Sequence, residues 1–126
     1  TVLLSVPTAV FIGTILLSNN LSDIEEDRKV GRKTLPILIG IKNSEKLWIF
    51  NVTMLLVLTF ILLIMGIYPI AVLVAVILLF PYKSISNFLS YDKSIYTKSK
   101  TMELIGRIGL KYHLAVIIGL LISIIF

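Results

Sequence analysis

Leu47-Trp-Ile-Phe-Asn-Val-Thr-Met-Leu-Leu-Val-Leu-Thr-Phe-Ile-Leu-Leu-Ile-Met-Gly-Ile67 contains no charged side chain. A helix needs ~20 predominantly apolar residues to cross the hydrocarbon core of a bilayer, so this run spans by itself. Reading outward from it, uncharged apolar segments also cover Thr1 to Asn20, Tyr68 to Tyr82 and Tyr112 to Phe126. The first of these is long enough alone. The other two reach spanning length if Lys83 snorkels and if the last helix extends back toward Met102. The expectation is an all-α polytopic membrane helix bundle of about four transmembrane helices, at about 1–20, 47–67, 68–85 and 104–126. Gly66 to Pro69 forms the tight connector between the second and third.

Composition agrees. The chain is 57% hydrophobic with a mean hydropathy of +1.00, against an apolar share of ~45–50% in ordinary soluble domains. A net charge of +5 would suit nucleic acid, but these cations flank apolar runs instead of lining a polar face, so no nucleic-acid partner is expected. The absence of cysteine excludes thiol catalysis and thiolate metal sites, and a single His makes an imidazole metal centre implausible. The chain begins at Thr1, and its first apolar run lacks a basic leader and a small-residue cleavage site. The expectation is a stretch entered partway through a longer membrane protein.

Charge placement tests the span count. All 12 Lys and Arg fall between Arg28 and Lys46 or between Lys83 and Lys111, and the seven acids fall in or directly beside the same two zones. Two spans separate the zones, so both belong on one membrane face. Their basic bias makes that face cytoplasmic, and a cell-membrane protein with cytoplasmic charged loops is expected. The helix of the first span should run on through the acidic residues until Gly31 stops it. Asn43 or Ser44, with Glu45, is expected to cap the second span. Trp48 and Tyr82 read as interface anchors, Phe60 as a contact to lipid or to a ligand's apolar tail, and His113 as an interfacial side chain bonded to a neighbour.

The chemistry concentrates in Asn19-Asn20-Leu-Ser-Asp23-Ile-Glu-Glu26-Asp27-Arg28-Lys29-Val-Gly31-Arg32-Lys33-Thr34-Leu35. On a helix Asn19, Asp23 and Asp27 follow at four-residue steps, with Asn20 three before Asp23, so their oxygens project to roughly one side. Glu26 lies near that side and Glu25 away from it. Hard oxygen donors select Mg2+ or Ca2+, and Mg2+ commonly takes one or two carboxylates plus water and phosphate. Past Gly31, Arg32 and Lys33 can fold back toward phosphate oxygens, with Arg28 and Lys29 less well directed. A lone Asp-x-x-x-Asp pair is most often a solvated face. Its joint occurrence with the Asn pair, Gly-Arg-Lys-Thr-Leu and a spanning helix running into it favours a functional site.

Asn19-Asn20, Asp23-x-x-x-Asp27, Gly31, Lys33-Thr34-Leu35 and Gly40 resemble the second aspartate-rich motif of the UbiA superfamily of intramembrane prenyltransferases. The resemblance implies the C-terminal part of a nine-helix fold. It also implies transfer of a polyprenyl group from polyprenyl diphosphate to an aromatic acceptor, with Mg2+ as cofactor. Asp23 and Asp27 would bind metal and diphosphate with help from Asn19 and Asn20, and Arg32, Lys33 and Arg28 would contact phosphate. The Asn pair and Asp27-Arg28 are most similar to the branch that prenylates 1,4-dihydroxy-2-naphthoate for menaquinone synthesis. Other branches act on 4-hydroxybenzoate, homogentisate or a glycerol-phosphate lipid.

The family's first motif, Asn-Asp-x-x-Asp-x-x-x-Asp, does not occur in residues 1–126. The resemblance therefore makes the N-terminal half of the same enzyme a required partner, and these residues alone are expected to be inactive. A transporter or membrane subunit using Asp23 and Asp27 as an ion site is the alternative. It has no need of Gly31-Arg32-Lys33-Thr34.

Overall fold

A computed structural model describes residues 2–126. Among them the chain forms seven α-helices: α1 Val2–Ser22, α2 Ile24–Lys29, α3 Leu35–Ile39, α4 Ile41–Ile64, α5 Ile70–Leu79, α6 Tyr82–Ser90 and α7 Lys98–Ile125. A 3₁₀ turn over Ile95–Thr97 leads into α7. Three stretches are long and apolar enough to cross a membrane: α1, α4, and α7 with its preceding turn. The pair α5–α6 makes a fourth only if its 42° bend is counted within one span. The helices present Leu16, Phe60, Ile64, Leu78 and Ile124 outward. So much exposed apolar surface suits lipid rather than water, and the protein is an integral membrane helix bundle.

The expected third span, 68–85, is broken. Phe80 is extended and Pro81 withholds a backbone donor, so α5 ends after 10 residues. At 1.5 Å per residue that is about 15 Å, half of a bilayer core. Two other boundaries also move. The second spanning helix starts at Ile41, capped by Gly40 (φ 83°, ψ 161°), not by Asn43 or Ser44; the Ser44 hydroxyl instead donates 2.9 Å back to the Gly40 carbonyl. The last helix begins at Lys98, well before residue 104. The Gly66 connector is as expected. With φ 70° it ends α4, and the Ile67 amide bonds the Leu62 carbonyl (2.9 Å) while the Gly66 amide bonds that of Leu63 (2.9 Å), a left-handed cap that only glycine adopts without strain.

Helix α1 packs along α4 and crosses α7, while α5 lies along α7. Polar groups at these contacts are satisfied internally, as a low-dielectric setting demands. The Trp48 indole donates to Ser18 Oγ at 2.8 Å, and Thr14, Ser18 and Thr59 donate to carbonyls one turn earlier. Thr59 also meets the Tyr112 hydroxyl at 2.9 Å, joining α4 to α7. Trp48 is thus no interface anchor: it is fully buried, stacked 3.8 Å from the Phe88 ring. His113 bonds the Gly109 carbonyl at 2.8 Å, as the sequence suggests, and also meets Thr8 Oγ1 at 3.2 Å.

Helices α5 and α7 meet where Gly119 has no side chain. A Cβ there would fall on the Val72 backbone, and a backbone neighbour cannot rotate away as a flexible side chain can. Gly119→Ala is therefore expected to push α5 from α7 and destabilise by about 1–3 kcal/mol, the usual range for overpacking. Thermal denaturation in detergent reads this directly. An unchanged midpoint would show that the helices do not approach this closely.

Candidate metal and diphosphate site

The site begins where α1 gives way to α2. Asp23 (φ −104°, ψ 10°) interrupts ideal helix geometry, yet the four-residue ladder runs on, from the Asp23 amide to the Asn19 carbonyl (3.2 Å) and from the Asp27 amide to the Asp23 carbonyl (2.8 Å). Asn19, Asp23 and Asp27 therefore stay stacked one turn apart. Asn19, Asn20 and Asp23 are partly buried and Asp27 is buried, at 5% exposure. Glu25 is exposed as expected. Glu26 does not join the face; it points outward and accepts from Lys29 at 2.8 Å, a contact that pushes the Lys29 ammonium pKa up.

Gly31 turns the chain. With φ 72° it closes α2 by two bonds, Arg32 amide to Asp27 carbonyl (2.9 Å) and Gly31 amide to Arg28 carbonyl (3.1 Å), the Schellman arrangement that needs a left-handed residue. The reversal returns Arg32 over the helix it has just left, and its Nη1 lies 3.3 Å from Asp27 Oδ1. Lys33 and Arg28 are exposed to solvent. Of the three cations singled out from sequence, only Arg32 is brought onto a carboxylate.

Two further cations come from the second charged stretch. Lys98, the first residue of α7, reaches Asp23 Oδ2 at 2.6 Å. Lys93 is almost fully buried, its side chain 2% exposed, and lies 3.1 Å from Glu45 Oε1. It also donates to the Phe88 and Tyr91 carbonyls and sits 4.6 Å over the Phe88 ring. These pairs, formed across long sequence separations, put both charged stretches at one end of the bundle. Nothing in the sequence around either lysine marks it as a partner of these carboxylates. The alternation of Lys with Tyr and Ser there is a composition cue without a spacing cue.

The donor set fits a hard divalent cation shared with a phosphate ligand. Among the described residues no three acidic or His side chains converge on one point, so a closed protein cage is not formed. One or two carboxylates suffice for Mg2+ where water and phosphate complete its shell, so the Asp23–Asp27 pair is compatible with such an ion. Each carboxylate is now matched by one cation, Lys98 or Arg32. The buried hydroxyls of Thr34, two residues past Arg32, and Thr101, three residues past Lys98, lack partners among the described residues.

The family model for the UbiA prenyltransferase family matches residues 1–105. The chain belongs to this family. Its relatives include the 1,4-dihydroxy-2-naphthoate octaprenyltransferase of Bacillus subtilis (strain 168), 58% identical over 43 residues, a stretch covering 34% of this chain and 14% of that enzyme. The chain thus matches far less than two thirds of that relative's length. No solved structure gives a significant match.

Proposed function

We propose that this chain carries one half of a Mg2+-diphosphate clamp in an enzyme that transfers a polyprenyl group from polyprenyl diphosphate to an aromatic acceptor, 1,4-dihydroxy-2-naphthoate in menaquinone synthesis. The observation that carries this reading is the pairing of Asp23 and Asp27 with Lys98 and Arg32 at the charged end of an apolar bundle. Carboxylates that a metal can claim stand beside cations that a diphosphate can claim.

Asp23 and Asp27 would hold Mg2+ with Asn19 and Asn20 assisting, and the bound ion would neutralise charge gathering on the departing diphosphate. Arg32 would stabilise the same developing charge by hydrogen bonds to phosphate oxygens, and the exposed Lys33 and Arg28 would add to it. The apolar helices would shelter the prenyl tail from water. The remaining carboxylates of the clamp would come from a segment outside residues 1–126. The basic bias of the charged end supports a cytoplasmic face in the cell membrane. The short identity to the naphthoate enzyme supports the acceptor. The Arg32 pairing supports a phosphate site over a simple ion pathway, because a guanidinium beside the carboxylates can meet phosphate charge that a bare ion pathway does not carry.

Membranes containing the complete enzyme, given labelled polyprenyl diphosphate and 1,4-dihydroxy-2-naphthoate, 4-hydroxybenzoate or homogentisate in turn, are expected to prenylate the naphthoate fastest. EDTA is expected to stop the reaction. Preference for another of these acceptors would overturn the acceptor assignment, and transfer that persists in EDTA would overturn the metal.

A further inference from the structure

The cation held against Asp23 comes from the far charged stretch. Lys98 Nζ stands 2.6 Å from Asp23 Oδ2, with the two side chains 33% and 20% exposed. The pair is partly buried yet not sealed from water, so its members can exchange with other charges. Its place is nonetheless fixed. The buried Lys93 bonds the Phe88 and Tyr91 carbonyls and pairs with Glu45, anchoring the segment that leads into α7. Thr97 Oγ1 bonds the Ser94 carbonyl at 3.2 Å, bracing the 3₁₀ turn. The first residue of α7 is thereby delivered to the acidic pair.

A partly solvated pair in a well-braced place can change partners. A divalent cation held by Asp23 would supply the charge that Lys98 now supplies, and like charge would then favour moving the ammonium off the carboxylate. The brace would keep Lys98 beside the acidic pair.

We propose that Lys98 is an exchanging cation of the diphosphate site. It neutralises Asp23 before metal arrives, yields that carboxylate to the metal, and then pairs with an oxygen of the metal-bound diphosphate. The inference rests on the reading of Asp23 as a metal ligand. It assigns to the second charged stretch a direct role in substrate binding, with Lys93 and Glu45 as the brace that positions it.

The exchange predicts effects of opposite sign from one substitution. In the complete enzyme in detergent, Mn2+ alone is titrated by electron paramagnetic resonance, and inorganic diphosphate is then titrated at saturating Mn2+. Lys98→Gln removes the competitor for Asp23, so Mn2+ is expected to bind about 2- to 5-fold tighter, the factor for loss of one partly solvated competing ion pair. Diphosphate is expected to bind about 10-fold weaker, as for loss of one charged hydrogen bond. Lys98→Arg is expected to restore diphosphate binding, which separates the role from simple misfolding. Mn2+ affinity that falls together with diphosphate affinity, or diphosphate affinity that stays unchanged in Lys98→Gln, would overturn the proposal. Asp23→Asn separates the two levels of inference. If it leaves Mn2+ binding intact, the metal reading itself fails; if it weakens Mn2+ while Lys98→Gln shows no opposed pair of effects, only the role of Lys98 fails.

Discussion

Asp27→Asn in the complete enzyme is expected to lower prenyl transfer by about 10³-fold or more. The substitution keeps the shape of the side chain and removes its charge. Asp27 is 5% exposed, whereas its partner Arg32 is largely in solvent, with a side chain 71% exposed. Water can therefore take over the guanidinium, and the structural cost should stay within about 1 kcal/mol. The chemical cost is far larger. A metal poised on a leaving group contributes several kcal/mol of transition-state stabilisation, and each 1.36 kcal/mol is tenfold in rate. Asp23→Asn is expected to act in the same direction, with Lys98 rather than Arg32 released to solvent. Initial rates at saturating Mg2+, normalised to enzyme content in the membrane, make the comparison. Rates near wild type in both variants would remove the pair from the reaction.

The largest structural effect is expected at Lys93. Its ammonium is nearly enclosed and satisfied by one carboxylate, two carbonyls and an aromatic face. Lys93→Met fills much of the same volume but strips the partner from Glu45 and the donor from both carbonyls. Breaking a buried pair on one side costs about 3–5 kcal/mol. Glu45 keeps part of its hydration, its side chain being 25% exposed, so about 2–4 kcal/mol is expected here. Thermal denaturation in detergent should show a midpoint lower by about 5 °C or more. Adding Glu45→Gln should recover part of the loss, because the stranded carboxylate is then removed. A shift below about 1 °C in Lys93→Met would mean that Lys93 is solvated rather than enclosed.

Much of the bundle is written plainly in the chain. Uncharged runs of spanning length, with every charge confined to two zones, leave few alternatives for α1, α4 and α7, and Gly31 and Gly66 mark their own turns because a positive φ is cheap only for glycine. Pro81 was equally visible. The length of the apolar run alone suggests one continuous span, yet a missing donor breaks a helix whatever its hydropathy. Trp48 misled for a different reason. A tryptophan between a charged loop and an apolar run looks interfacial, and only the fold supplies Phe88 to stack on it and Ser18 to accept its N–H.

The acidic half of the candidate site was legible because its residues are helical neighbours, so spacing fixes geometry. Arg32 was legible because Gly31 sets the direction of return. Lys93 and Lys98 were not, since their partners lie far away in sequence and no local pattern encodes which helix ends meet. The same limit holds for the carboxylates that would complete the clamp.

The most direct measurement is the affinity of the purified complete enzyme for labelled polyprenyl diphosphate, taken with Mg2+ and with EDTA, in wild type and in the Asp23→Asn/Asp27→Asn double variant. Mg2+ is expected to strengthen binding in the wild type, and the double variant is expected to bind no better with Mg2+ than the wild type does in EDTA. An equal Mg2+-dependent gain in the double variant would mean that Asp23 and Asp27 do not hold the metal.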